Sequence, residues 1–522
     1  MVDFAKQLQV PMRDRKSGIL LHPTSLPGRG VGDLGAPARA FVEFLVGAGQ
    51  RLWQVLPLGP TGYGDSPYQV LSAFAGNPLL VSLEALRERG WLDDAELASA
   101  PRFDASTVEY DSVAPWKWGA LRSAARRFEA RASSSERRAF DAFVDAERAW
   151  LDDFGLFMAL KDAHGGVAWT SWDPPLARRE AAALDSARRR LDAEIAAHRF
   201  AQYAFFEQWR ALREHARERG VELMGDLPIY VAHDSAEVWA HRELFRLDGS
   251  GRPVAVAGVP PDYFSATGQL WGNPLYDWSE HERTGYAFWI ARMRSTLLQV
   301  DRVRLDHFRG FEAFWEVPAG AATAAGGRWV PGPGEKLFDA LTAALGPLPI
   351  VAENLGVITP EVEALRARYG YPGMAILQFA FGDDPQADSF KPHNYERSLV
   401  AYTGTHDNDT VIGWWSSEGA ADSTRTAAQV DAEKSLARRY LATDGREMNW
   451  VLVRALLASV ADTAILPLQD LLGLGSEARM NRPATASGNW RWRVRAEALD
   501  AAAAARLREL TVLYGRGDSS NQ

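Results

Sequence analysis

The chain has 522 residues, no cysteine and a formal net charge of -9. Such a length allows about three domains of ~150 residues, or one large barrel with insertions. The missing cysteine excludes disulfides, thiol nucleophiles and thiolate metal sites and suits a reducing compartment, while the acidic balance argues against nucleic acid as a partner, because phosphates demand clustered cations.

In chain order, the N-terminal segment MVDFAKQLQVPMRDRKSG lacks the continuous apolar core of a secretory signal. No later apolar run approaches the ~18 residues that span a bilayer. A cytoplasmic protein without a membrane partner is expected. The first β-rich run is SGILLHPTS from Ser17, and the second is RLWQVLPLGP from Arg51. More than a hundred residues then precede the third, VELMGDLPIY from Val221. Within that gap, 116–131, 135–163 and 181–220 are rich in Ala, Arg and Glu at helical period, and Ser133 and Glu136 are spaced for a capping box. Residues 61–220 are therefore predicted to form a mainly helical inserted subdomain. A second insertion, 234–290, holds many Gly, Pro and aromatic residues and few regular patterns; loops of that length are usually functional.

Five further runs follow: QVDRVRLDHF from Gln299, LPIVAENLG from Leu348, GMAILQFAF from Gly373, LVAYTGTHDND from Leu399 and DTAILPLQD from Asp462. Helix-like stretches at 360–369 and 447–460 lie between some of them. Eight near-continuous apolar strands separated by helices predict an α/β fold, a (β/α)₈ TIM barrel with large, mainly helical insertions between strands. An open doubly wound sheet is the alternative, but no GxGxxG or Walker A sequence follows any strand. Residues 1–522 are thus read as a single catalytic barrel, and the tail GRGDSSNQ from Gly515 as disordered. The 19 tryptophans admit two readings: core filling, or stacking on the apolar faces of sugar rings.

Barrel enzymes place their chemistry at the C-terminal ends of the strands. Strand three ends at Asp226. Strand four carries Arg304 and Asp306, followed by His307. Strand five ends in Glu353 and Asn354, and strand seven runs into His406, Asp407, Asn408 and Asp409. Two carboxyl groups are the minimum for glycoside chemistry, one attacking the anomeric carbon and one protonating the leaving oxygen. Arg304 shares a strand face with Asp306, two residues on, and a cation there supports the ionised form that a nucleophile needs. An acid at Glu353 requires a raised pKa, from apolar walls or from the neighbouring Asp306. Taken singly, each residue has a plainer reading as a cap, a structural ion pair or a turn. Four such ends on one rim point to a site. No HExxH or close His pair suggests a metal, and no acidic loop of the EF-hand kind is present.

At these residues the chain resembles the amylomaltases, or disproportionating enzymes, the 4-α-glucanotransferases of glycoside hydrolase family 77 in the α-amylase clan. The resemblance runs nearly end to end. It rests on GDLPIYVAHDSAEVW from Gly225, RVRLDHFRGFEAFWEVPA from Arg302, VAENLGVITPEV from Val351 and YTGTHDNDT from Tyr402, with SGILLHPTSLPG and SPYQVLSAFAGNP near the N-terminus. The resemblance implies that Asp306 is the nucleophile, Glu353 the general acid/base and Asp407 the stabiliser of the transition state. It implies that Arg304, Asp226, His307 and His406 hold the sugar at the cleavage point, with Tyr68 near the first sugar. PPDYFSATGQLWGNPLY from Pro260 resembles a mobile loop over the cleft and would supply Asp262, Phe264 and Trp271, so that 234–290 covers the active site. Asn481, in ARMNRPATASGNWRWR, resembles a glucan contact, although Ala484 stands where a glycine is expected. Implied partners are α-1,4-glucans, with glucose or another glucan as acceptor, and no cofactor is expected. An α-glucan hydrolase with the same three carboxylates is the alternative activity, and a non-catalytic glucan-binding barrel is the rival of another class.

Overall fold

Each of the eight apolar runs forms a strand, and the eight pair in parallel. The computed structural model describes residues 15–261, 267–419, 426–483, 485 and 487–517. Its strands are β1 (Lys16–Leu20), β2 (Leu52–Gln54), β3 (Glu222–Leu227), β4 (Ala255–Val259), β5 (Gln269–Pro274), β6 (Arg302–Leu305), β7 (Ala313–Pro318), β8 (Arg328–Pro331), β9 (Ile350–Ala352), β10 (Gly373–Ile376), β11 (Leu399–Tyr402) and β12 (Thr463–Pro467). The parallel sheet runs β10-β11-β12-β1-β2-β3-β6-β9. The Ala352 N–H donates to the Pro372 carbonyl beside β10 at 2.8 Å, which brings the two ends of the sheet together as a barrel. This is the predicted fold.

Strand period two sorts the side chains. Outward residues such as Ile19, Trp53, Leu223, Val303 and Leu466 belong to the main core under the helices. Inward residues form layers. At the base, Glu222 of β3 pairs with Lys16 of β1 and with Arg302 of β6. Above them Met224, Val351, Met374, Val400, Tyr402 and Ile465 fill the barrel with apolar volume. One step higher on β3 and β6 stand Asp226 and Arg304. The charged groups thus sit on a dry, packed floor at the C-terminal rim.

Between β2 and β3 run the long helices Tyr110–Arg131, Ser134–Ala163 and Asp192–Glu218, with Ala181–Arg190 preceding the last. Ser133 and Glu136 form the expected capping box. The second insertion differs from expectation. It contains β4 and β5, which join β7 and β8 in an antiparallel sheet of order β5-β4-β7-β8. Two of its four strands lie beyond barrel strand β6, so the pairing is non-local, and the short strands carry Gly and Pro that hide them from a period-two reading. Buried Glu316 on β7 accepts from Arg328 on β8 at 2.8 Å and pairs with Arg246, tying the sheet to the loop before β4.

At 515–517 the tail reading needs correction, while 518–522 lie outside the described residues. Arg516 is fully buried. Its guanidinium donates to the carbonyls of Leu457, Lys16, Asp462, Ser459 and Ala461. A cation so placed shares the Leu457 and Ser459 carbonyls with Arg15 and the Asp462 carbonyl with the Lys16 N–H, and so helps satisfy the buried acceptors at the base of the barrel. Of the tryptophans, Trp53, Trp169, Trp209, Trp239 and Trp289 are fully buried core residues. Among the described residues no helix is long and apolar enough to cross a membrane.

Candidate active site

The rim is organised around one guanidinium. Asp226 and Arg304 are register partners on β3 and β6, so their side chains leave adjacent strands on the same face. Arg304 Nη1 donates to Asp226 Oδ1 and Oδ2 at 2.9 and 2.7 Å and lies 2.8 Å from Asp306 Oδ1. The Tyr68 hydroxyl donates to Asp226 Oδ2 at 2.8 Å. Burial pushes the Asp226 carboxyl up, to about 6, against the pull of Arg304. Asp226 and Arg304 are buried, whereas the Asp306 side chain keeps 23% of its exposure. Of these three, Asp306 is the most open to the cleft.

His307, next in sequence, has φ 51, a left-handed conformation uncommon for such a residue. The turn directs its N–H to Glu353 Oε2 at 2.7 Å, and the Leu355 N–H donates to Glu353 Oε1 at 3.0 Å. Both oxygens of Glu353 are thus held by backbone. Burial raises the Glu353 carboxyl to about 7, with Asp306 adding to the rise and Arg304 and the two N–H groups opposing it. The Glu353 carboxyl is raised in the direction expected of it, and desolvation is the main cause. The His307 ring packs edge-on to Trp271 of β5, centroids 4.8 Å apart, and burial lowers its pKa to about 4.

The third carboxylate comes from the turn after β11. Asp407 Oδ2 lies 3.4 Å from His406 Nε2, and Oδ1 accepts from Asn481 Nδ2 at 2.6 Å. Burial works against its charge, but His406 and Asn481 hold the Asp407 carboxyl well below the usual carboxylate range. Reciprocally, burial disfavours a charged His406 while Asp407 raises its pKa above the ordinary value. The Tyr68 ring stacks on His406, centroids 5.0 Å apart at 22°.

Of the residues singled out in the sequence, Tyr68, Asp226, Arg304, Asp306, Glu353, His406, Asp407 and Asn481 meet at this rim through these contacts. His307 and Trp271 join it through Glu353. Asp262 and Phe264 lie outside the described residues, as does Ala484. Sequence reading missed three neighbours. Arg479 donates to the backbone carbonyls of Asp407 and Asn481, at 2.6 and 2.7 Å, and stands two residues before Asn481. His22 ends β1 at the same rim and lines a small cavity of about 20 Å³ with His406; the strand-end rule applied to the first run would have found it. Trp490 packs on both Tyr68 and His406.

The chain compares closely with known proteins. A family model described as 4-alpha-glucanotransferase matches residues 21–499. The 4-alpha-glucanotransferase of Thermus thermophilus is 54% identical over 507 residues, covering 95% of this chain and 98% of that protein. That of Synechocystis is 49% identical, covering 96% and 98%. An amylomaltase from Streptococcus agalactiae, solved in complex with acarbose, superposes with a TM-score of 0.91 at 40% identity, covering 97% of this chain and 100% of that one. With the carboxylates on the rim and a match of this extent, the chain belongs to the 4-α-glucanotransferase family.

Proposed function

We propose that this protein is a 4-α-glucanotransferase that moves a segment of an α-1,4-glucan to the 4-hydroxyl of a second glucan or of glucose, by double displacement with retention. The observation that carries the reading is the partition of the rim. One guanidinium joins Asp226 and Asp306, while Glu353 is set apart with a carboxyl raised to about 7. A partly exposed carboxylate against a cation suits the nucleophile, and a buried carboxyl held by backbone N–H groups and raised in pKa suits the acid.

Asp306 attacks the anomeric carbon and forms the glucosyl-enzyme as Glu353 passes its proton to the leaving oxygen. The acceptor hydroxyl then displaces Asp306 while Glu353 takes its proton back. Asp407, held by His406 and Asn481, serves the sugar hydroxyls as positive charge develops at the ring. Tyr68, Asp226, Arg304, His307, Trp271 and, outside the described residues, Asp262 and Phe264 hold the sugar. Tyr68 brings the inserted stretch 61–220 to the rim, and 234–290, extended by β7 and β8, covers the cleft. Transfer exceeds hydrolysis where water is excluded while an acceptor is bound, and that cover is the element suited to the task. The chemistry uses carboxylates alone, and glucan turnover of this kind suits a cytoplasmic enzyme.

The test is to trap the intermediate. A 5-fluoro-α-glucosyl fluoride should label the protein once, and peptide mapping should place the label on Asp306. A label on Glu353, Asp407 or Asp226 would overturn the assignment.

A further inference from the structure

Trp490 is a large residue in a conformation that large residues rarely take. Its φ is 64, in the left-handed region where Cβ crowds the following carbonyl. Such a geometry persists only where the surroundings over-determine it, and it clusters at functional sites. Here the surroundings do so. The Trp490 N–H donates to the Met480 carbonyl at 2.7 Å, and its own carbonyl accepts from the Tyr110 hydroxyl at 3.0 Å. The residues on either side are pinned as well. The Asn489 side chain accepts from Arg482 N–H at 2.9 Å, and the Arg491 carbonyl accepts from Val108 N–H at 2.7 Å.

The backbone so fixed delivers the indole to one place. Trp490 is 5% exposed and belongs to the apolar cluster that fills the barrel, together with Met224, Tyr402 and Met480. Its ring lies 5.9 Å from Tyr68 and 5.9 Å from His406, tilted 43° and 38° to them, while those two rings stack on each other. Each of the two has one polar task at the rim: Tyr68 donates to Asp226, and His406 faces Asp407. One indole therefore backs the group that holds the Arg304 pair and the group that holds the third carboxylate.

We infer that Trp490 is a positioning residue for transfer: its ring, held by a strained backbone, fixes Tyr68 and His406 together so that Asp226 and Asp407 keep their places relative to the reacting sugar. It acts through these residues rather than on the substrate. The inference rests on the glucanotransferase reading of the site.

The experiment compares Trp490→Asn, Trp490→Phe and Trp490→Leu in the full chain, measuring melting temperature and the kcat and KM for maltotriose disproportionation. Asparagine tolerates the left-handed backbone but removes the ring. It should leave a folded protein whose kcat falls by about tenfold or more, with KM changed less, because small misplacements of catalytic groups act on the transition state. Phenylalanine keeps a ring and should recover most of the lost kcat. Leucine, apolar without a ring, should recover little. A folded Trp490→Asn protein with wild-type kcat overturns the inference. If the asparagine variant does not fold, equal kcat for leucine and phenylalanine overturns it. Absence of turnover by the unsubstituted protein instead overturns the reading of the site, and this inference with it.

Discussion

Arg304 Nη1 lies 2.8 Å from Asp306 Oδ1 and is simultaneously the donor to both oxygens of Asp226. One nitrogen makes all three contacts, so what matters is where it sits, and the rigid, longer guanidinium holds it there as a freely rotating ammonium would not. Arg304→Lys should therefore keep the fold and lower kcat by about a hundredfold, since an error of ~1 Å in the nucleophile is enough. Arg304→Ala should also destabilise, by roughly 3–5 kcal/mol in urea unfolding, because it strands a buried Asp226 charge. A lysine variant with wild-type kcat would show that the guanidinium has no role beyond its charge.

The raised Glu353 fixes the sign of the pH dependence. The first step needs the acid protonated, so kcat should fall as pH rises past about 7, the value to which burial lifts the carboxyl. Stability follows the same sense. The folded state binds this proton more tightly than the unfolded chain, whose carboxyl titrates near the ordinary value of 4.5. The favourable contribution is complete below that value and is lost as pH rises through about 7. Glu353→Gln should abolish transfer and make stability fall less steeply across that window, leaving the slope that Asp226 and Asp470, both raised to about 6, contribute. Unfolding of both proteins from pH 4 to 8 checks the stability arm; parallel curves would contradict it.

Asn481 Nδ2 donates to Asp407 Oδ1 at 2.6 Å. A hydrogen bond to a charged acceptor contributes about 1.5–3 kcal/mol. If it acts at the transition state, Asn481→Ala should lower kcat by roughly ten- to a hundredfold. The contact is at the surface of the cleft, so the melting temperature should barely move. A variant with unchanged kcat would remove Asn481 from the third-carboxylate unit.

Arg516 predicts a stability effect far from the chemistry. Arg516→Ala removes a donor from five carbonyls at the barrel base; those of Leu457 and Ser459 keep Arg15 and that of Asp462 keeps the Lys16 N–H, while an acceptor left bare carries a cost of about 1–3 kcal/mol before water relieves it. A net loss of about 3 kcal/mol or more in urea unfolding is expected, with kcat at 25 °C preserved. An unchanged midpoint would show that the clamp contributes nothing.

The legible parts of this fold are those written in short segments. SGILLHPTS, VELMGDLPIY and QVDRVRLDHF each combine a buried strand with the residues of its own C-terminal end, so strand and site are read together, and Asp226, Arg304, Asp306 and Glu353 follow from position alone. What stayed hidden depends on distant partners. The sheet β5-β4-β7-β8 pairs segments on both sides of β6. Arg516 looks like a tail residue until the carbonyls of β1 and of the turn before β12 surround it. Trp490 lies in an Arg-rich stretch that reads as loop, and only its hydrogen bonds to Met480 and Tyr110 place it behind Tyr68 and His406. The roles of Tyr68 and Asn481 came from resemblance, and their partners, Asp226 and Asp407, from the structure.

The most direct test of transfer is to incubate the purified protein with maltotriose, follow the products by chromatography and assay reducing ends in parallel. The account predicts a ladder of longer glucans together with glucose, at a constant number of reducing ends, and loss of all products in Asp306→Ala. Rising reducing ends with only shorter products would make the protein a hydrolase and contradict the claim that its cleft keeps water from the glucosyl-enzyme.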